Sequence, residues 1–324
     1  MADDKPTLYV SRLLPDPVMA AIRERYRLVQ DPTDTAPAPS ALREGLRRAV
    51  AAIVTLTDRI DAGLIESAPG LRVLANYAVG YNNIDLDAAN RCGLVVTNTP
   101  DVLTDATADL AWALLFAAAR RVVEGDRLVR SARWTGWAPT QLLGHAVSGR
   151  TLGIIGMGRI GQAVAQRAAG FRMTVLYHAR RPVHTPPGAA SWEMTTLPEL
   201  LGRADFVTIH VPLTADTHHL IGMRELSQMR RSAILINTAR GPIVDEAALV
   251  AALRNGTIAG AGLDVFEQEP ALHPDLPSFN QVVLLPHLGS ATLDTRVQMG
   301  SICLKNVEAV LAGRPAPNRV GTAG

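Results

Sequence analysis

Short apolar runs, separated by amphipathic stretches, recur along the whole chain. Leu8-Tyr9-Val10 reads as a first strand, and Asp16-Pro17 then supplies an N-cap and an N1 proline for a helix to about Tyr26. The Pro-, Thr- and Asp-rich stretch from Gln30 to Pro39 reads as a loop, Ser40 caps a short helix to Arg48, and Ala51 to Leu56 is a buried strand. Strand-like Leu71 to Ala75 and Leu94 to Thr97 flank a helix through Asp85 to Arg91. Alternation of this kind predicts a parallel sheet covered on both faces, and so one small α/β domain. Asn98-Thr99-Pro100 marks a crossing, followed by a long helix over about Leu103 to Arg121 and a loop with Trp134 and Trp137. A second α/β series has strands near Leu152, Thr174, Phe206, Ile234, Ala259 and Val282, and Ala291 to Gly313 is again helical.

The second series opens with a strand that ends in Gly156-Met157-Gly158-Arg159-Ile160-Gly161, after which Gln162 to Ala169 carries apolar residues at helical spacing. Strand, glycine turn and helix in that order form the dinucleotide-binding fingerprint. Gly156 permits the tight turn, Gly158 lets backbone N–H groups approach a pyrophosphate, and Gly161 removes a side chain where helix packs on strand. The fingerprint begins near the middle of the chain, which an inserted cofactor domain explains. The predicted fold is therefore α/β, with two doubly wound parallel-sheet domains. A Rossmann cofactor domain (100–286) is inserted into a smaller flavodoxin-like substrate domain (1–99 and 287–324).

Length and composition sharpen this picture without changing it. The 324 residues suit two domains, and a formal net charge of +2 gives no reason to expect a nucleic-acid partner. Cys92 and Cys303 lack metal spacing and suit a reducing cytoplasm. The start MADDKPTLYV has no secretion signal, and the apolar stretch Leu110 to Ala119 is too short to span a bilayer. The expectation is a cytoplasmic protein with no membrane association.

The cofactor's identity is read at the end of the strand Met173 to Tyr177. An NAD site places a carboxylate there for the ribose 2′-hydroxyl. This chain has His178-Ala179-Arg180-Arg181 instead, and a guanidinium is the natural partner of a 2′-phosphate. NADP(H) is expected to be preferred, with NAD(H) possible.

Reduction of a 2-oxo acid needs a cation for the carboxylate, a proton donor for the carbonyl oxygen and a nearby hydride. Three segments after strand ends offer these parts. In Ile236 to Gly241 an apolar strand ends in Arg240, in Asp264 to Pro270 acidic residues follow a strand, and in Leu285 to Ser290 His287 lies between a strand end and a glycine turn. His210, at another strand end, reads as structural. His218-His219 has no third ligand at sensible spacing, so no metal is expected.

These segments resemble the D-isomer-specific 2-hydroxyacid dehydrogenase family, and within it the glyoxylate/hydroxypyruvate reductases. The resemblance is carried by Ala78 to Asp85, Thr97 to Thr104, Gly156 to Gly161, Asn237 to Asp245, Asp264 to Pro270 and Pro286 to Thr292, in family order. It implies the interrupted domain layout and a homodimer joined through the cofactor domains. By position it implies a catalytic set of Arg240, Glu269 and His287. His287 would protonate the substrate oxygen, Glu269 would orient the ring and favour imidazolium, and Arg240 would clamp carboxylate and carbonyl oxygen. Glu267 competes with Glu269, which is preferred because it stands in the family position before Pro270. The amides of Val79 and Gly80 would be a second carboxylate anchor. Cofactor contacts would fall on Thr104, Gly156, Met157, Gly158, Arg159, Ile160, Gly161, Ala179, Arg180, Arg181, Thr238, Ala239, Arg240, Asp264, His287, Leu288, Gly289 and Ser290.

In similar reductases the segment with Trp134 and Trp137 reaches toward the neighbouring subunit's active site. Trp137 would then limit substrate size and favour glyoxylate and hydroxypyruvate; otherwise both rings are dimer-interface core. Formate dehydrogenases of the superfamily carry Gln where Glu269 stands, and the long phosphoglycerate dehydrogenases carry further C-terminal domains, so neither fits. Bulkier 2-oxo acids and phosphite remain alternative substrates. A dinucleotide-sensing corepressor is the rival of a different class, disfavoured because this chain lacks long disordered tails.

Overall fold

The structure is a computed structural model that describes residues 5–186 and 191–321. It divides into two compact units: the described residues up to Leu103 together with those from Ser290 onward, and Thr104–Gly289. The first unit begins with β1 (Thr7–Val10), α1 (Asp16–Arg25), β2 (Arg27–Leu28), α2 (Pro39–Arg48), β3 (Ala51–Val54), α3 (Ala62–Glu66), β4 (Val73–Asn76), α4 (Leu86–Arg91) and β5 (Val95–Thr97). The second unit starts with α5 (Thr104–Ala119), α6 (Val122–Arg130), β6 (Thr151–Ile155), α7 (Arg159–Ala168), β7 (Thr174–His178) and β8 (Trp192–Met194). It continues through α8 (Leu197–Arg203), β9 (Phe206–Ile209), α9 (Met223–Gln228), β10 (Ile234–Asn237), α10 (Glu246–Arg254), β11 (Gly260–Leu263) and β12 (Val282–Leu284). The chain then returns to the first unit as α11 (Leu293–Leu311) and β13 (Arg319–Val320).

The first sheet has the order β13-β5-β4-β3-β1-β2, parallel except for β13, which pairs antiparallel with β5. The order β2-β1-β3-β4-β5 is that of flavodoxin-like folds. The second sheet, all parallel, runs β12-β11-β10-β9-β6-β7-β8. Its order reverses between β6 and β9, the switch point at which doubly wound sheets bind ligands. The strands β3, β4, β9, β10 and β11 are buried at every position, as parallel strands with helices on both faces must be.

Each unit has its own core. In the first, Leu8, Val10, Ile53 and Val73 pack with Met299, Cys303, Leu304 and Val307 of α11, while Tyr9, Leu46, Leu64 and Leu74 fill the opposite face. In the second, α5 and α7 pack with Ile154, Val175 and Ile236 on one face, and α8 to α10 with Val207, Leu235 and Leu263 on the other.

Several local expectations are corrected. The units meet at 103/104 and 289/290, not at 99/100 and 286/287, because α5 begins only at Thr104 and the amides of Leu288 and Gly289 are tied to Asp264 of the second unit. Asp16 is not an N-cap: it lies inside the first turn of α1, with Pro15 in the cap position. Ser40 likewise lies within α2, which opens at Pro39 after Ala38. In both helices a proline with fixed φ sits in the first turn, and no side chain accepts from the end amides. The long helix is found as α5, but the stretch after it, expected as a loop, begins with a further helix, α6, set off from α5 by Arg121 at φ 55°. The second sheet has seven strands, because β8 adds to the β7 edge. No helix of the described residues is long and apolar enough to cross a membrane.

Candidate active site

Because the second sheet is parallel, the C-terminal ends of its strands lie along one edge. Arg240 follows β10, Asp264 and Glu269 follow β11, and His287 follows β12, so three neighbouring strands deliver these four side chains.

The loop after β10 is shaped by Asn237. Its Oδ1 accepts the Ala239 N–H at 3.0 Å and its Nδ2 donates to the Arg240 carbonyl at 3.0 Å, an Asx-type turn that sets where Arg240 leaves the strand. Arg240 is partly buried and donates from a guanidinium nitrogen to the Ala239 carbonyl at 2.7 Å. Burial pulls its pKa down from the ordinary value, and the charge of Glu269 opposes that. Gly241 follows, where a Cβ would lie 1.8 Å from the Phe266 carbonyl oxygen and 2.5 Å from the Glu267 nitrogen. Only glycine lets the loops after β10 and β11 approach this closely.

Asp264, fully buried, shapes the turn after β12. Its carbonyl accepts the His287 N–H at 2.9 Å, while Oδ1 and Oδ2 accept the N–H groups of Leu288 at 2.6 Å and Gly289 at 2.8 Å. Three consecutive amides are therefore held by one residue, and His287 adopts the left-handed conformation, φ 57°. A non-glycine residue persists there only when its surroundings over-determine it. Burial pushes the Asp264 carboxyl up; the two amides and His287 oppose this.

His287 Nδ1 lies 2.9 Å from Glu269 Oε2, with side-chain exposures of 24% and 26%. Glu269 Oε1 accepts the Phe266 N–H at 3.0 Å. Burial pushes the Glu269 carboxyl up, but the bond to His287, the charge of His287, the Phe266 amide and Arg240 together hold it below the usual value. Of the two glutamates, Glu269 meets His287, whereas Glu267 Oε1 lies 2.5 Å from His219 Nε2.

That last contact corrects an expectation. The fold gives His218-His219 the third potential metal ligand that the sequence lacks, since Glu267 brings the three side chains' donor atoms within 4.8 Å of one another. The two imidazoles are stacked, with centroids 4.1 Å apart and planes 27° apart.

The glycine turn sits beside the switch point. Gly156 has φ 97°, and a Cβ there would lie 2.6 Å from the His210 carbonyl oxygen. At Gly161 a Cβ would lie 2.1 Å from the Gly156 carbonyl oxygen, so the helix start packs directly on the turn. At Gly158 a Cβ would meet nothing within 4 Å, and α7 has no side-chain cap on its first amides. Open space before uncapped helix amides fits a pyrophosphate. Thr238 Oγ1, buried without a partner, is a further polar atom on this edge. At the end of β7, Arg180 and Arg181 are exposed and form no ion pair among the described residues. His210, its Nε2 2.9 Å from Thr208 Oγ1, is pushed down to about 3 by burial and is a neutral side chain.

Other candidates lie apart in the chain. Val79, Gly80 and Ser290 belong to the first unit, where the Val79 carbonyl accepts from Asn98 Nδ2 at 2.8 Å and the Gly80 carbonyl from Asn76 Nδ2 at 2.8 Å. Thr104 is the first residue of α5. Trp137 is 82% exposed and Trp134 52%. The roles of Asn237 and Asp264 as loop-shaping residues escape sequence reading, although an Asn at a strand end before a turn is a usable signal.

Residues 112–289 match the model of the D-isomer specific 2-hydroxyacid dehydrogenase NAD binding domain. Over 320 residues the chain is 46% identical to a glyoxylate reductase of Thermococcus litoralis, covering 98% of this chain and 97% of that one. A solved protein from Thermus thermophilus superposes with TM-score 0.91 at 47% identity, over 97% of this chain and 99% of that one. The NADPH-dependent glyoxylate/hydroxypyruvate reductase of Sinorhizobium meliloti, solved with NADP and malonate, gives TM-score 0.86 at 36% identity, over 98% and 97%. The chain belongs to the D-isomer specific 2-hydroxyacid dehydrogenase family.

Proposed function

We propose that this dehydrogenase reduces small 2-oxo acids, glyoxylate to glycolate and hydroxypyruvate to D-glycerate, with NADP(H) preferred over NAD(H). The observation that carries the reading is the His287–Glu269 pair at 2.9 Å, on the strand edge that also bears Arg240 and the glycine turn. The names of the relatives support glyoxylate, and the NADP in the Sinorhizobium enzyme supports the cofactor.

A bound dinucleotide would supply the hydride. It would be held by Gly156 to Gly161 at its phosphates and by Arg180 and Arg181, beside Ala179, at a 2′-phosphate. Thr238, Ala239, Asp264, Gly289, Thr104 and Ser290 are the further proposed contacts. Glu269 takes Nδ1 of His287, which leaves Nε2 to protonate the substrate oxygen and to act as base in the reverse direction. The Glu269 carboxylate favours the imidazolium that must donate. Arg240, a cation on this edge, binds the substrate carboxylate and stabilises negative charge developing on the carbonyl oxygen. In the first unit, the Val79 and Gly80 N–H groups are a further proposed carboxylate anchor.

The working form is proposed to be a homodimer. None of the residues of α6 is buried, and Val122, Val129, Trp134, Trp137 and Leu143 are 52–82% exposed along one segment of the second unit. A monomer seldom leaves so much apolar surface in one place. Trp137 is proposed to restrict the partner's substrate pocket.

The test is steady-state oxidation of NADPH and of NADH, separately, with glyoxylate and with hydroxypyruvate. Fast turnover with NADPH and slow turnover with NADH is the expected result. Equal rates at subsaturating cofactor would overturn the 2′-phosphate reading alone. No turnover with either acid would overturn the substrate assignment, with bulkier 2-oxo acids and phosphite as the next substrates to assay.

A further inference from the structure

Glu246 is a carboxylate to which this mechanism gives no task. It is the first residue of α10, only 7% exposed, and forms no ion pair with a cation among the described residues. It does not cap its own helix, because Asp245 already does so by accepting the Ala248 N–H at 2.9 Å. Both of its oxygens are instead turned to another loop. Oε1 accepts the Glu267 N–H at 2.6 Å, and Oε2 accepts the His273 N–H at 2.9 Å.

Those two amides bracket Glu269. The attachment is reciprocal at one end, where the Glu246 N–H donates to Glu267 Oε2 at 3.3 Å, and Glu267 Oε1 lies 2.5 Å from His219 Nε2. A buried anion is costly unless hydrogen bonds compensate it. Here main-chain amides provide that compensation, so the position of the charge is tied to the path of the backbone from 267 to 273. The same loop is pressed against Gly241, the residue after Arg240.

We propose that Glu246 is a positioning residue for Glu269, its carboxylate fastening both ends of the 267–273 loop so that Glu269 meets His287. The inference rests on the reading of Glu269 and His287 as the orienting and proton-donating pair. Loosening the loop lets Glu269 drift from the imidazole, and a drifted carboxylate no longer favours the protonated ring. Reduction, which consumes that proton, then fails at a lower pH.

The experiment is the pH profile of glyoxylate reduction with NADPH for the full-length wild type, Glu246→Gln, Glu269→Gln and the double variant. Gln keeps the shape of Glu246 but places an NH2 opposite one of the two amides. The expected result for Glu246→Gln is a fall in kcat of about ten- to a hundredfold, an upper pH limb displaced to lower pH, and an unchanged KM for NADPH. The double variant is expected to move the limb no further than Glu269→Gln does, because the two residues act through one contact. A Glu246→Gln enzyme with lower Tm or kcat but an unmoved limb, where Glu269→Gln moves it, overturns the inference. An unmoved limb in Glu269→Gln overturns the underlying reading instead. If Glu246→Gln does not fold, Glu246→Asp keeps the charge but is too short to reach both amides. The same displacement is expected of it, and its absence likewise overturns the proposal.

Discussion

Oε2 of Glu269 lies 2.9 Å from Nδ1 of His287, while Oε1 of the same carboxylate accepts the Phe266 N–H. One carboxylate thus joins the loop after β11 to the turn after β12, and it leaves a single ring nitrogen for proton transfer. His287→Ala is expected to lower the reductive kcat by about 10²–10⁴-fold, the usual worth of a positioned general acid. Burial pushes the Glu269 carboxyl up, but the bond to His287, the charge of His287, the Phe266 amide and Arg240 hold it below its usual value. Steady-state rates for His287→Ala within threefold of wild type would sink the assignment.

Gly241 tests the junction between the Arg240 and Glu269 loops. A methyl group there would overlap the Phe266 carbonyl carbon at 1.9 Å, and neither neighbour is a flexible side chain that could give way. Gly241→Ala is expected to cost about 1–3 kcal/mol of stability, typical of overpacking, and to impair turnover together with it. Thermal unfolding and kcat report both; an unchanged Tm would contradict the close approach.

Arg180 and Arg181 stand exposed after β7 without an ion-pair partner among the described residues. A charge-assisted bond to a 2′-phosphate is worth about 1.5–3 kcal/mol. The variant with both changed to Ala is therefore expected to raise the KM for NADPH by roughly ten- to a hundredfold. The KM for NADH is expected to stay put. Parallel loss with both cofactors would mean the arginines act on something other than the 2′ position.

His210 makes acid stability measurable. Its pKa is lowered from 6.5 to about 3 by burial. The unfolded chain therefore takes up this proton at a higher pH than the folded one. The full contribution to stability is present above about pH 6.5 and is lost progressively as the pH falls toward 3. The loss between pH 7 and 4 is of order 1–3 kcal/mol. Denaturant melts at several pH values are expected to show that fall in the wild type and a shallower one in His210→Gln.

Much of this architecture is legible in the sequence because parallel strands are short apolar runs and the glycine turn has a fixed pattern. Ile154 and Ile155 before Gly156 announce strand and turn together. Features set by tertiary contact were hidden. Arg121 looks like any helical arginine, yet its left-handed φ divides α5 from α6. Trp192-Glu193-Met194 becomes a strand only because the β7 edge offers it hydrogen bonds. Glu246 reads as an ordinary first-turn acid, and its partners at 267 and 273 become visible only when the loop after β11 is folded back over α10. His219 and Glu267 are 48 positions apart and meet for the same reason.

The return of α11 and β13 to the first unit sets an order of completion. The core residues Leu8, Val10, Ile53 and Val73 need Met299, Leu304 and Val307 to cover them, and Thr97 pairs with Arg319. On the ribosome, the stretch Thr104–Gly289 is made between those partners, an interval of about 10–40 s at ordinary elongation rates. Proteolysis of ribosome-bound chains stalled beyond Gly289 is expected to cut the β1–β5 region while sparing the second unit. The half of the molecule that is synthesised first is thus the last to close, and for that interval its apolar face depends on whatever in the cell shields nascent chains.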